Sequence, residues 1–312
     1  MATVTPAPNF DKEHDVQALR KAMKGLGTDE QAIIDILTRR SNAQRQELIV
    51  QFKSAYGRDL VKDLKSELGG NFEDAILALM DRPDVYDARC LKKAVKGLGT
   101  DEDVLIEIMC ARNNAEINAI KAAYKSEFKS DLEKALAGDT SGDFKRVLIG
   151  LCTANRDESS AIDAGKVHDD AAALWAAAKG LGTDEAEFQR VIVSRSKEHL
   201  LAVFQEYEKL AGKSIESTIK SEMSGNLERA YLTIVAFFRS PIQFFADQLY
   251  KAMKGAGTDE KHLIRIIVSR CEVDLAHIKV AYAASHGKPL ADAIRGETSG
   301  DFRKVLLALV GP

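Results

Sequence analysis

The sequence has little of what marks several large classes of protein. Its N-terminus (MATVTPAPNF) has no basic segment followed by an apolar core, so a secretory leader is not expected. The uninterrupted apolar runs, such as Val235–Phe238, are far shorter than the roughly 20 residues needed to span a bilayer. The four cysteines, Cys90, Cys110, Cys152 and Cys271, show no paired spacing and read as free, mostly buried thiols of a reducing compartment. Charge of one sign is not in excess: 44 basic and 47 acidic residues leave a net of −3. Unaided binding to nucleic acid or to an anionic surface is therefore not expected. The six histidines form no HExxH pair, and no nucleophile motif occurs, so an enzyme has no support. The single tryptophan, Trp175, lies in an alanine-rich helical stretch and reads as core. Strand-like alternation is missing, which leaves an all-α fold.

What the chain does have is repetition. Lys24–Glu30, Lys96–Glu102 and Lys179–Glu185 read KGLGTDE, and Lys254–Glu260 reads KGAGTDE. A carboxylate follows the second glycine of each copy by forty residues: Gly27 to Glu67, Gly99 to Asp139, Gly182 to Glu222 and Gly257 to Glu297. Self-similarity of this kind takes precedence over any prior from the 312-residue length. The motif lysines are offset by 72, 83 and 75 residues, so about eleven residues are inserted between the second and third copies. The insertion falls in a polar stretch around Thr153–Val167. It reads as a linker dividing the body into two contiguous halves of two repeats each.

Within each repeat the apolar period is helical and broken by Gly or Ser-Asn, giving five short helices, A to E. Thr28, Thr100, Thr183 and Thr258 stand where helix B should be capped, Thr28 with Gln31 as a full capping box. Asn71, Asp143, Asn226 and Asp301 are expected to cap helix E. Arg40, Arg112, Arg195 and Arg270 recur near the end of helix B, where a cation suits the helix dipole.

The expected site lies where helix A ends, at the first glycine, and helix D ends, at the acid. Terminal carbonyls lack partners and carry the negative end of the dipole. Glycines let the A–B loop take positive φ and turn carbonyls outward. Carbonyls with one carboxylate suit a hard cation such as calcium but fall short of its six to eight ligands, so each site alone is weak and open to a phosphate oxygen. Four such sites on one chain would act together through effective concentration. The loop tips Leu26, Leu98, Leu181 and Ala256 offer small apolar contacts to an interface. Four divalent ions would also carry the net charge from −3 to +5. A nucleotide loop fits poorly, since no strand precedes the glycines and the lysine precedes them.

These motifs resemble the annexins over essentially the whole chain from about Asp11 onward. The resemblance implies a curved disc of four five-helix repeats, laid out as a short tail (1–10), repeat 1 (11–81), repeat 2 (82–153), a linker (154–166), repeat 3 (167–239) and repeat 4 (240–312). It implies calcium as the cofactor, held by the carbonyls of Met23, Gly25 and Gly27 with Glu67; of Val95, Gly97 and Gly99 with Asp139; of Ala178, Gly180 and Gly182 with Glu222; and of Met253, Gly255 and Gly257 with Glu297. Secondary sites would use Thr28 and Glu30, Thr100 and Glu102, Thr183 and Glu185, and Thr258 and Glu260, although those acids are equally explained by the helix dipole. The implied function is non-enzymatic, calcium-dependent and reversible binding to anionic phospholipid such as phosphatidylserine. Self-assembly on the membrane is compatible with it, and no nucleic-acid partner is expected. The implied location is the cytoplasm and, with calcium, the membrane periphery; export by a non-classical route is also compatible. Asp87, Arg112 and Arg265 match a polar channel set of some annexins, but Cys90 stands where a glutamate is usual, which argues against a channel. The segment before Asp11 lacks an amphipathic recruiting helix, so no dedicated protein partner is expected there.

Overall fold

The computed structural model describes residues 1–25, 27–97, 99–179, 183–255 and 257–311. Among them every regular element is α-helical, and the helices fall into four sets of five. Repeat 1 comprises α1 (Lys12–Ala22), α2 (Glu30–Leu37), α3 (Asn42–Tyr56), α4 (Leu60–Glu67) and α5 (Gly70–Met80). Repeat 2 comprises α6 (Pro83–Ala94), α7 (Glu102–Cys110), α8 (Asn114–Phe128), α9 (Leu132–Asp139) and α10 (Gly142–Cys152). Repeat 3 comprises α11 (Ala164–Ala178), α12 (Glu185–Ser194), α13 (Lys197–Ala211), α14 (Ile215–Glu222) and α15 (Gly225–Arg239). Repeat 4 comprises α16 (Pro241–Met253), α17 (Glu260–Arg270), α18 (Leu275–His286), α19 (Leu290–Glu297) and α20 (Gly300–Val310).

The expected division at the linker is not the one found. Residues Met1–Pro83 and Ile242–Pro312 make one compact unit and Asp84–Pro241 the other, so repeat 1 joins repeat 4 and repeat 2 joins repeat 3. The pairing runs through helices B and E: α5 on α17 and α2 on α20 in the first unit, α7 on α15 and α10 on α12 in the second. These helices carry apolar residues on more than one face. Ile33, Ile34 and Leu37 of α2 are fully or almost fully buried, as are Val104 to Cys110 of α7. An isolated repeat could not cover such surface, and burial at roughly 25 cal/mol per Å² of apolar area drives the pairing. The linker lies inside the second unit, where the Asp157 N–H donates to Ser194 O at 2.8 Å.

Helix C of each repeat ends on a left-handed residue: Gly57, Gly212 and Gly287, but Lys129 in repeat 2, at φ 52°. A side chain in that conformation costs roughly 1–2 kcal/mol, partly offset by the greater freedom glycine has when unfolded. Lys129→Gly is expected to raise stability by about 1 kcal/mol, read as a shift of the denaturant midpoint with unchanged slope.

Two capping expectations are corrected. Helix B is capped by the aspartate, not the threonine: Asp29 accepts from Ala32 N–H, Asp101 from Val104, Asp184 from Ala186 and Glu187, and Asp259 from His262. Helix E has no side-chain cap. Its flanking residues are Gly69, Ser141, Ser224 and Ser299, and Asn71, Asp143, Asn226 and Asp301 lie inside the helix. There Asp143 accepts from Arg146 at 2.7 Å, Asn226 from Arg229 at 2.8 Å and Asp301 from Lys304 at 2.8 Å, each one turn on.

Candidate metal centre: the A–B loop and the end of helix D

Helix A stops short of the first glycine, at Ala22, Ala94, Ala178 and Met253. The chain is then folded back by one hydrogen bond, from the capping aspartate N–H to a carbonyl in the last turn of helix A. Asp29 reaches Ala22 O at 2.9 Å, Asp101 Ala94 O at 2.9 Å, Asp184 Ala177 O at 3.1 Å and Asp259 Ala252 O at 2.8 Å. A loop closed so tightly requires left-handed residues: φ is 122° and 92° at Gly25 and Gly27, 121° and 93° at Gly97 and Gly99, and 118° and 104° at Gly255 and Gly257. A Cβ at these positions would meet no atom within 4 Å, so the backbone angle alone demands glycine.

Threonine, displaced from the cap, joins the loop to the acid. The Thr28 hydroxyl donates to Glu67 Oε2 at 3.2 Å, and that of Thr258 contacts Glu297 O and Oε2 at 3.2 and 3.3 Å. In the middle repeats the bond goes to the backbone: Thr100 to Asp139 O at 3.0 Å and Thr183 to Glu222 O at 3.4 Å. All four forty-residue acids are therefore brought beside their loops, exposed, as the last residues of α4, α9, α14 and α19. Glu222 is the most engaged: Ser221 Oγ donates to it at 2.9 Å and Lys213 Nζ lies 3.9 Å away.

The carbonyls of Met23, Gly25, Gly27, Val95, Gly97, Gly99, Ala178, Met253, Gly255 and Gly257 receive no hydrogen bond from a described residue. Gly180 and Gly182 lie outside the described residues, as do the loop tips Leu26, Leu98, Leu181 and Ala256. Among the described residues no three His, Cys, Asp or Glu side chains converge on a point, so a metal here would rest on one acid and backbone oxygens. That set fits a hard cation: oxygen only, unpaired and turned out by positive φ. Glu30, Glu102, Glu185 and Glu260 open helix B, and their side chains make no hydrogen bond with a described residue. Their position at the helix start is what the dipole favours.

Three of the four recurring arginines are forks that tie the end of helix B to helix A. Arg40 grips Asp15 at 2.6 and 2.8 Å, Arg112 grips Asp87 at 2.7 and 3.2 Å, and Arg195 grips Asp170 at 2.7 and 3.1 Å. The constant 25-residue spacing from acid to arginine is a signal that the sequence carries. In repeat 4 it leads from Phe245 to Arg270, which lies over the Phe245 ring at 4.6 Å and takes Asp274 instead. Burial would raise the Asp170 carboxyl, but hydrogen bonds from Arg195, His199 and Arg190 outweigh it and hold the group below its ordinary value. A depressed folded-state value stabilises the fold above the unfolded carboxylate range near 4, and that stability is lost as pH falls through the folded value. Asp170→Asn should flatten the acid limb of an unfolding curve against pH below about 4.

Of the thiols, Cys110, Cys152 and Cys271 are buried and Cys90 is half-buried. Burial pushes Cys110 to about 12, Cys152 to about 11 and Cys271 to about 12. No helix among the described residues is long and apolar enough to cross a membrane.

The annexin family model matches residues 14–79, 86–151, 169–234 and 244–309, one match per repeat. Annexin A11 of Homo sapiens is 53% identical over 310 residues, covering 99% of this chain and 61% of the relative. Annexin A13 of Canis lupus familiaris is 51% identical over 302 residues, covering 96% of each. The chain thus spans about three fifths of the length of the A11 relatives it matches. Among solved structures, annexin III superposes with a TM-score of 0.98 at 42% identity, covering 100% of this chain and 97% of that one. Calcium-bound annexin (Sm)1 does so with a TM-score of 0.89 at 33% identity, covering 100% and 93%. Four family matches in register, on the repeats that carry the glycine loops, settle the kinship: the chain belongs to the annexin family.

Proposed function

We propose that this chain binds anionic phospholipid membranes reversibly and only with calcium, without enzymatic activity of its own. The observation that carries the reading is the threonine bond in each repeat, which seats the forty-residue acid beside a glycine loop whose described carbonyls accept from no described residue. Calcium bound there would supply positive charge between these oxygens and a lipid phosphate. In repeat 1 the ligands would be Met23, Gly25, Gly27 and Glu67, with the equivalent residues in the other three repeats and Thr28, Glu30 and their counterparts as weaker secondary ligands.

The residues themselves set the strength and the reversibility. One carboxylate per site neutralises half of a divalent charge, so a lone site belongs to the class with dissociation constants of roughly 10⁻⁴–10⁻³ M. Four sites on one chain can raise the overall avidity by roughly 10²–10⁴-fold. Exposure of the acids keeps the sites in exchange with solvent, so a chelator strips them. The protein so described works at the cytoplasmic periphery of membranes, with phosphatidylserine as a suitable lipid.

Co-sedimentation with phosphatidylserine vesicles tests the reading. The expected result is pelleting at micromolar to millimolar calcium, release by excess chelator and no pelleting with phosphatidylcholine vesicles. Failure to pellet at millimolar calcium would overturn it and leave the loops a structural role.

A further inference from the structure

The four forty-residue acids are not equally free. The residue after the left-handed end of helix C is Arg58, Ser130, Lys213 or Lys288 in the four repeats, a cation in all but the second. In repeat 1 that cation is spent on helix D: Arg58 forks onto Asp63 at 2.6 and 2.8 Å and attracts Glu67 only at longer range. Thr218 stands at the place of Asp63 in repeat 3, and its hydroxyl is bonded to the Tyr207 hydroxyl at 2.7 Å. Lys213 finds no acid there and turns to the loop acid instead. Its Nζ lies 3.9 Å from Glu222 Oε1 and donates to Ser221 Oγ at 3.4 Å, while Ser221 Oγ lies 2.9 Å from the same Oε1. The serine has one proton to give. Thr218 O is within reach at 3.1 Å, but the charged carboxylate is the stronger acceptor. With the proton on that side the groups form a chain from ammonium to hydroxyl to carboxylate.

The other repeats lack this arrangement. Gly138 and Gly296 precede Asp139 and Glu297, and in repeat 1 Ser66 Oγ donates to Asp63 O at 2.8 Å rather than to Glu67. Lys288 lies close to Gly296, yet among the described residues neither Glu297 nor Glu67 nor Asp139 forms an ion pair within 4 Å. The threonines differ in the same sense. Thr28 and Thr258 touch the carboxylates of Glu67 and Glu297, whereas Thr183 reaches only Glu222 O, at 3.4 Å. A Glu222 carboxylate that ligates calcium must first give up Lys213 and Ser221. An exposed ion pair and a charge-assisted hydrogen bond are each worth a few-fold in an equilibrium constant. Repulsion between the remaining ammonium and a divalent ion acts in the same direction.

We infer that Lys213 and Ser221 form a latch on Glu222 that makes repeat 3 the last of the four repeats to take calcium. The latch presupposes the calcium sites proposed above and adds an order to them. Three repeats grip at lower calcium, and the fourth joins only once the ion displaces the lysine.

Calorimetric titration with calcium of four chains, each keeping one loop acid and carrying the amide at the other three, tests the latch. The expected result is that the chain keeping Glu222 binds most weakly, roughly three- to tenfold below those keeping Glu67 or Glu297. Adding Lys213→Gln with Ser221→Ala to it should recover most of that difference, and the same pair should change nothing in the chain keeping Glu67. Lys213→Arg retains the charge and should retain the weak binding. Lys213 and Ser221 are exposed, so these variants should melt close to their parents in chelator, which separates loss of the latch from loss of the fold. Equal binding by the Glu222 and Glu67 chains, or no gain from Lys213→Gln with Ser221→Ala, would overturn the latch and leave the calcium sites standing. Absence of calcium binding by all four chains and by the parent would instead overturn the sites themselves.

Discussion

A chain carrying Glu67→Gln, Asp139→Asn, Glu222→Gln and Glu297→Gln together should lose calcium-dependent vesicle binding by at least about 100-fold while melting within a few degrees of the parent. Each acid is the carboxylate that its repeat's threonine bond brings beside the loop, and its amide keeps the shape but cannot offset a divalent ion. Because the four sites act through effective concentration, losses at each compound, and the whole falls well beyond what any single site contributes. Single variants should behave differently: three remaining sites keep much of the avidity, so Glu67→Gln alone should raise the calcium needed for half-binding only several-fold. The fold should not notice. The acids are exposed final residues of short helices, and an amide oxygen can still accept from Thr28 and Thr258. In repeats 2 and 3 the threonine bonds to the backbone and is untouched. Pelleting of the quadruple variant at the parent's calcium requirement would remove these acids from the site.

How far the sequence reaches is decided by whether a feature is local. The five helices of each repeat and the position of the acids are legible because a 3.6-residue apolar period and a fixed forty-residue spacing need no knowledge of packing. Adjacent threonine and aspartate are both good N-caps, so composition cannot choose between them. The choice is made by the hydrogen bond from the Asp29 N–H to Ala22 O, which fixes where the chain turns and passes Thr28 to Glu67. The start of helix E is hidden for a similar reason: Gly70, Gly142, Gly225 and Gly300, at φ near 60°, begin it without any side-chain cap. The pairing of repeat 1 with repeat 4 is hidden because it depends on which buried faces of helices B and E meet, and the polar linker carries no information about that.

Breaking the fork between Arg112 and Asp87 should remove a large share of the stability of the second unit. Both side chains are about 6% exposed, so this is a buried pair rather than a surface one. Burial alone would pull the Arg112 guanidinium down; Asp87 beside it, with smaller contributions from Glu116 and Glu107, more than offsets that and raises it. Asp87→Ala leaves the guanidinium without its counter-ion in the interior, a loss of about 3–5 kcal/mol. For units of this size that corresponds to a melting temperature lower by roughly 6–20 °C. Removing the charges together should be far milder. Asp87→Leu with Arg112→Leu replaces the pair by apolar groups that need no partner, and it should recover most of the loss. Repeat 4 is a natural precedent within the chain: Phe245 stands where the aspartate would be, Arg270 turns to Asp274 of its own repeat, and helix A still packs, with Phe245 fully buried. The acid–arginine fork is thus one of two ways this fold holds helix A to the end of helix B, and what it does not tolerate is half of a fork. A double-mutant cycle by chemical denaturation measures this directly, and additive losses at the two positions would show that the pair is not coupled.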